Sequence, residues 1–254
     1  MPASSPRLTA RSVLASTLLG TTPPRLPSRV LVRAGELFGI SEGTTRVALS
    51  RMVAAGELRT EDSWYELTGP RLLARQSRQE AGRVWRTPAA GSWDRRWHVA
   101  IVVAERRSAS DRAELRDHLR RARLGELREG VWIRPANIEI DWPEVAGEHC
   151  TVVRADGFER SVAGGLWDLG AWATAARERR AQMKRLVTPL ERGDTAPLAE
   201  GFVISAAVLR LLQSDPLLPA ELLPARWPGD NLRSDYERFD RAYRAVLREW
   251  FARQ

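Results

Sequence analysis

Four side chains near the N-terminus, Thr44, Arg46, Ser50 and Arg51, share the outward side of a helix predicted from the Ser41 cap to about Ala55. Their types suit nucleic acid. A guanidinium fork can take the edge of a guanine or two phosphate oxygens, and a short hydroxyl can bond a base or the backbone. Arg59 and Thr60 follow on a predicted strand, where they would reach phosphates rather than bases. The competing reading is an ordinary solvated helix face, and which residue reads a base stays open at this stage. Val47 also faces outward, whereas Thr45, Ala48, Leu49 and Met52 recur at i, i+3, i+4 and i+7, the spacing of a packed face.

The elements that must hold this face are legible around it. Residues 12–20 read as a short apolar helix from a serine to a glycine, and the proline cluster through Pro27 reads as a turn. Ser28 caps a second helix with Val30, Leu31, Ala34, Leu37 and Phe38 along one side, and Gly39 stops it. Two helices joined through Gly39–Ser41 make a helix-turn-helix, closed by Gly56 as a left-handed cap. Leu58-Arg-Thr60 and Trp64-Tyr-Glu-Leu-Thr68 flank the polar Glu61-Asp62-Ser63 and predict a hairpin, hence a winged helix. Trp64 is expected to pack this wing onto the domain.

Farther along, residues 69–84 read as a basic helix with Arg71, Arg75 and Arg78 on one face, and 85–97 as a tryptophan-rich linker. Strands are predicted at 97–104, 130–135 and 149–154, with a helix over 110–123, which suggests half of a ferredoxin-like sandwich. The last third reads as helices over 167–190, 197–214 and 234–251 with proline-pinned connections between the last two. The resulting fold class is α+β, with a winged helix-turn-helix over 1–80, a ferredoxin-like domain over 81–165 and a helical domain over 166–254.

Composition agrees with an anionic partner. The net charge is +8, the pI about 10.8, and all basic residues but Lys184 are arginine among the 40 Lys and Arg. A coding bias toward arginine would produce the same total. Residues 1–80, however, hold eleven arginines against seven acids, so the excess concentrates where the helix-turn-helix lies. Apolar runs are too short to span a bilayer and the first residues do not form a signal peptide, so a cytoplasmic protein is expected. One cysteine, Cys150, and three scattered histidines predict no disulfide, no metal site and no cofactor.

The block Leu37-Phe-Gly-Ile-Ser-Glu-Gly-Thr-Thr-Arg-Val-Ala-Leu-Ser-Arg-Met-Val-Ala-Ala-Gly-Glu-Leu58, then Tyr65-Glu-Leu-Thr-Gly69, resembles the PaaX family of phenylacetate-catabolism repressors. So do Trp93-Asp-Arg-Arg-Trp97 and Asp215-Pro-Leu-Leu-Pro-Ala-Glu-Leu-Leu-Pro-Ala-Arg-Trp-Pro-Gly229. The resemblance runs from about Val13 to Trp250. It implies a homodimeric transcriptional repressor on double-stranded operator DNA, a Cas2-like middle domain, and release by an aryl-CoA such as phenylacetyl-CoA. No coenzyme A fingerprint stands in the sequence, so the effector rests on the resemblance alone and its binding residues are unassigned.

A different effector, or none, is the alternative within the same architecture. A metal-dependent Cas2-like nuclease is the alternative from another class. For the nuclease, the strand ends Val103-Ala104-Glu105-Arg106-Arg107, where two arginines beside the lone carboxylate make a poor magnesium site. Adjacent His149 and Cys150 in a strand would point to opposite faces and make a poor catalytic couple. A buried structural cysteine is expected, no catalytic residue is assigned, and the protein is read as a non-enzyme.

Overall fold

The computed structural model describes residues 9–21, 23–70, 93–103, 108–140, 142 and 144–253. Within them lie helices α1 (Ala10–Leu19), α2 (Ser28–Leu37), α3 (Glu42–Ala54), α4 (Ala109–Arg121), α5 (Glu144–His149), α6 (Ser161–Leu166), α7 (Leu169–Glu191), α8 (Leu198–Gln213) and α9 (Gly229–Ala252). The strands are β1 (Arg25–Pro27), β2 (Leu58–Glu61), β3 (Trp64–Leu67), β4 (Trp97–Val102), β5 (Gly125–Arg128), β6 (Val131–Pro135) and β7 (Cys150–Ala155). The basic stretch carrying Arg71, Arg75 and Arg78, the linker through residue 92, and Ala104–Arg107 with Glu105 lie outside the described residues. Two compact units form, one from Met1–Val84, Gln182–Ala207 and Asp235–Gln254, the other from Trp85–Ala181 and Val208–Ser234.

In the first unit, Thr9 caps α1 by accepting from the Ser12 amide at 3.2 Å, and Ser41 caps α3 by accepting from the Thr44 amide at 3.3 Å. Leu14, Leu18, Leu31, Leu49, Met52, Leu58 and Leu67 bury together, each worth about 1.5–3 kcal/mol of removal from water. Helices α2 and α3 approach closely at Gly35, where an added Cβ would collide with the Thr45 hydroxyl. The proline segment expected as a turn is instead partly strand. Arg25–Pro27 pairs antiparallel with β3, giving the order β1-β3-β2. Proline is tolerated here because β1 is a sheet edge. The same unit includes the adjoining ends of α7, α8 and α9, where Ser205 and Tyr236 place their hydroxyls 3.0 Å apart. Phe38, one residue before the helix-turn-helix turn, meets the Phe202 ring at 5.0 Å.

The second unit is built on β4-α4-β5-β6-α5-β7, with the antiparallel sheet order β5-β6-β4-β7. That is the full ferredoxin-like βαββαβ pattern rather than half of it. The additional strand, β5, is short and polar, and it forms a hairpin with β6 that the sequence does not announce. Leu115, Leu119, Leu124 and Trp132 are buried on one face of the sheet, and Trp97, Val99 and Ile133 on the other. Cys150 is buried and opens β7, while His149 closes α5 and does not lie in the strand with it. Trp172 and Trp227 stack with centroids 4.5 Å apart, and the Trp172 indole donates to the Leu211 carbonyl at 2.9 Å. Helix α9 starts at Gly229, five residues before the predicted position, because Pro228 accepts the first helical bond, from Leu232. Pro228 is compatible with the start because a proline's missing amide costs nothing there.

Candidate nucleic-acid interface

Helix α3 sorts its faces as its spacing predicts. Thr45, Leu49 and Met52 are buried and Ala48 is half-buried. Thr44, Arg46, Ser50 and Arg51 are all exposed. The sorting follows from geometry, since residues three and four apart share a helix face. Gly39 and Gly56, at φ +73° and +69°, end α2 and α3 in the left-handed region that glycine occupies at little steric cost.

The wing is a two-residue hairpin whose turn, Asp62-Ser63, has φ +46° and +66° at its two central positions. Both positive values match a primed turn, the kind whose twist suits a tight hairpin. Register sets Arg59 opposite Glu66 and Thr60 opposite Tyr65, with Arg59 and Thr60 exposed. All six candidate residues therefore stand at the surface of one unit, four on α3 and two on β2.

Several are already engaged. Arg46 donates to Glu42 at 2.8 Å one turn earlier, Arg59 donates to Glu66 at 2.7 Å, and the Thr44 and Ser41 hydroxyls lie 2.9 Å apart. The hydrogen bond with Glu66, and then the charges of Glu66 and Glu61, push the Arg59 guanidinium further above its ordinary range. Such exposed pairs are weak in water, so a phosphate or guanine can replace the carboxylate at small cost.

Two residues beyond the candidate set belong to this surface. Val47 is 52% exposed between Arg46 and Ser50, suited to apolar contact with a thymine methyl. Its signal in the sequence is an aliphatic residue on an otherwise polar face. Arg25 lies over the Trp64 ring at 5.1 Å from its centroid. Trp64 is 41% exposed and does not pack the wing inward as expected. Its partner comes from β1, the strand hidden in the proline segment, so the spacing around Trp64 could not foretell the pair. Among the described residues no group of three or more His, Cys, Asp or Glu side chains assembles that could hold a metal ion. No helix among them is long and apolar enough to cross a membrane.

Three helices and a wing, with an exposed basic third helix, define a winged-helix DNA-binding protein. Family models narrow this. The PaaX-like protein model matches residues 9–70, the PaaX protein central Cas2-like domain 90–168, and the PaaX-like protein C-terminal domain 167–253. The chain belongs to the PaaX family, a family of transcriptional regulators tied to phenylacetate catabolism. It is similar to the uncharacterized protein Rv0674 from Mycobacterium tuberculosis at 39% identity. That match covers 94% of this chain and 99% of the other, with a TM-score of 0.71. No curated protein matches the chain at a significant level.

Proposed function

We propose that this protein is a cytoplasmic, homodimeric repressor that reads operator DNA with α3 and the wing and releases it on binding an aryl-CoA, phenylacetyl-CoA first among them. The observation that carries the reading is the exposed constellation Thr44, Arg46, Ser50 and Arg51 on the third helix of a winged-helix unit, inside a PaaX-family chain. Helix α3 lies in the major groove with Arg46 and Ser50 toward base edges, and Arg59 and Thr60 hold the backbone. Two copies read an inverted repeat. Exposed Ile101 and Val153, which share one face of β4 and the edge strand β7, supply apolar surface that supports pairing of copies.

Release is a shift between two dimer geometries. An effector that binds one geometry more tightly populates it, and the recognition helices no longer match the half-site spacing. Fluorescence anisotropy with the DNA upstream of the protein's own gene, followed by titration of phenylacetyl-CoA, tests each part. The expected result is sequence-selective binding at physiological salt that the thioester reverses. Binding that ignores sequence contradicts the reader, and an affinity unmoved by saturating thioester contradicts the effector.

A further inference from the structure

A pocket of about 380 Å³ opens in the second unit, with Arg120, Arg123, Trp132, Trp167, Leu166 and Pro216 around it. Its volume lies in the range of small-molecule sites, and its walls mix aromatic faces with guanidinium groups. The Arg120 guanidinium lies 5.6 Å from the centroid of the Trp132 ring, and its carboxylate neighbour, the exposed Asp117, stands 3.6 Å away. The pocket's carboxylate, Glu126, is bonded to Arg116 at 3.1 Å.

The charge behind this wall is unbalanced. Asp215 is buried, and its carboxylate pairs with the buried Arg233. Arg123 donates its Nε to the Asp215 backbone carbonyl at 2.9 Å, not to the carboxylate. Arg134, wholly buried, donates to the Pro135 and Leu217 carbonyls and the Asn137 amide oxygen, and its Nη1 has no partner. The buried carboxylate thus bonds Arg233, which also has the exposed Asp230 at 3.6 Å, whereas carbonyl and amide dipoles meet Arg123 and Arg134. Burial lowers the pKa of both Arg123 and Arg134; at Arg123 the charge of Asp215 opposes this and that of Arg233 adds to it, and at Arg134 the charge of Arg123 adds to it. Arg123 also holds φ +63° just past the end of α4, a position that usually takes glycine. A non-glycine residue kept there at a conformational cost marks a constrained site.

The geometry points to this pocket as the binding site for an aromatic anion, with its ring against the half-buried Trp167 and its negative group facing Arg120 and Arg123. The inference deepens the effector reading and rests on it for the ligand's biological source. The shared chemistry has two sources. A coenzyme A thioester brings an adenine with phosphates, and a free aryl carboxylate brings a ring with one charge. Either supplies the missing counter-charge as a charge-assisted hydrogen bond.

Calorimetric titration of the full chain with phenylacetyl-CoA, coenzyme A and phenylacetate, each alone, tests the site. The same titrations follow on Arg120→Glu and Arg123→Gln, with thermal melts to confirm folding. Arg120 is exposed, so its variant carries the test even if the second unfolds. The expected result is binding of at least one probe, with tryptophan quenching, weakened about ten-fold or more by each folded variant. Coenzyme A binding without phenylacetate binding assigns the phosphate end to the pocket, and the reverse assigns the aryl acid. Phenylacetate bound with neither coenzyme A species bound keeps the pocket and overturns the thioester effector. A probe that binds parent and folded variants equally overturns the pocket and leaves the effector reading standing. No binding of any probe overturns both.

Discussion

Arginine serves two opposite purposes in the two units of this chain. On α3 and the wing, Arg46, Arg51 and Arg59 stand in solvent, with Arg46 tied to the exposed Glu42 on its own helix and Arg59 to the half-buried Glu66 on the neighbouring strand β3. In the ferredoxin-like unit, Arg134 and Arg233 are buried and Arg123 is half-buried, with Asp215 as their one buried carboxylate. The first set is available to a partner and contributes little to the fold, because exposed pairs are weak. The second set is costly to disturb, because a charge taken from water needs its partner. Burial, rather than residue type, separates an interface from a structural or ligand-facing cluster.

The sharpest way to break the contrast is to remove a buried partner. Asp215→Asn keeps the acceptor that takes the Leu217 amide but strips Arg233 of its buried counter-charge, leaving the exposed Asp230 at 3.6 Å. A loss of about 3–5 kcal/mol in denaturant unfolding is expected. A loss below 1 kcal/mol, on the order of an exposed pair, would erase the distinction. Next comes packing within the helix-turn-helix. Gly35→Ala should cost about 1–3 kcal/mol by overpacking against Thr45, and Thr45→Ala added to it should recover most of that. Equal melts for parent and single variant would show that α2 and α3 do not need the close approach.

On the exposed side the effect should be smaller and should fall on DNA rather than stability. Arg59→Ala is expected to weaken all DNA sequences alike and to reduce the salt slope by about one phosphate contact. Sequence-dependent weakening would move Arg59 from backbone to base contact. The smallest effect concerns His98, flanked in register by Arg134 and Arg154. Burial, then the charges of Arg154 and Arg134, lower its pKa against the opposing pull of Glu139 and Asp94. Protons therefore bind the unfolded chain first. Stability should fall as pH drops below about 6.5, by less than about 1 kcal/mol because the ring is only part-buried. His98→Gln should flatten that dependence in pH-dependent melts, and an unchanged profile would assign it to another group.

Legibility in the sequence follows the same division. The α3 surface could be read because helix periodicity is local: a run of thirteen residues sorts Thr45, Leu49 and Met52 from Arg46 and Ser50. The caps at Ser41, Gly39 and Gly56 were equally local. What escaped depends on residues distant in the chain. Arg25–Pro27 became a strand because β3 lies beside it, and Trp64 found Arg25 rather than the core. Arg134 sits in a strand the sequence does reveal, but its burial depends on the Leu217 carbonyl, 83 residues away. The pocket at Arg120 and Arg123 has the same cause, since Pro216 and Trp167 reach it from other elements. No spacing rule brings such groups together before the fold does.

The central claim is that the exposed arginines of α3 read DNA, and one measurement addresses it most directly. Parent protein and Arg46→Ala are titrated against the DNA upstream of the protein's own gene and against variants of it substituted at each position, at fixed physiological salt. A loss of about 1–3 kcal/mol with relaxed discrimination at a single base pair is the predicted result. Unchanged affinity and unchanged discrimination at every position would contradict the reading role assigned to Arg46.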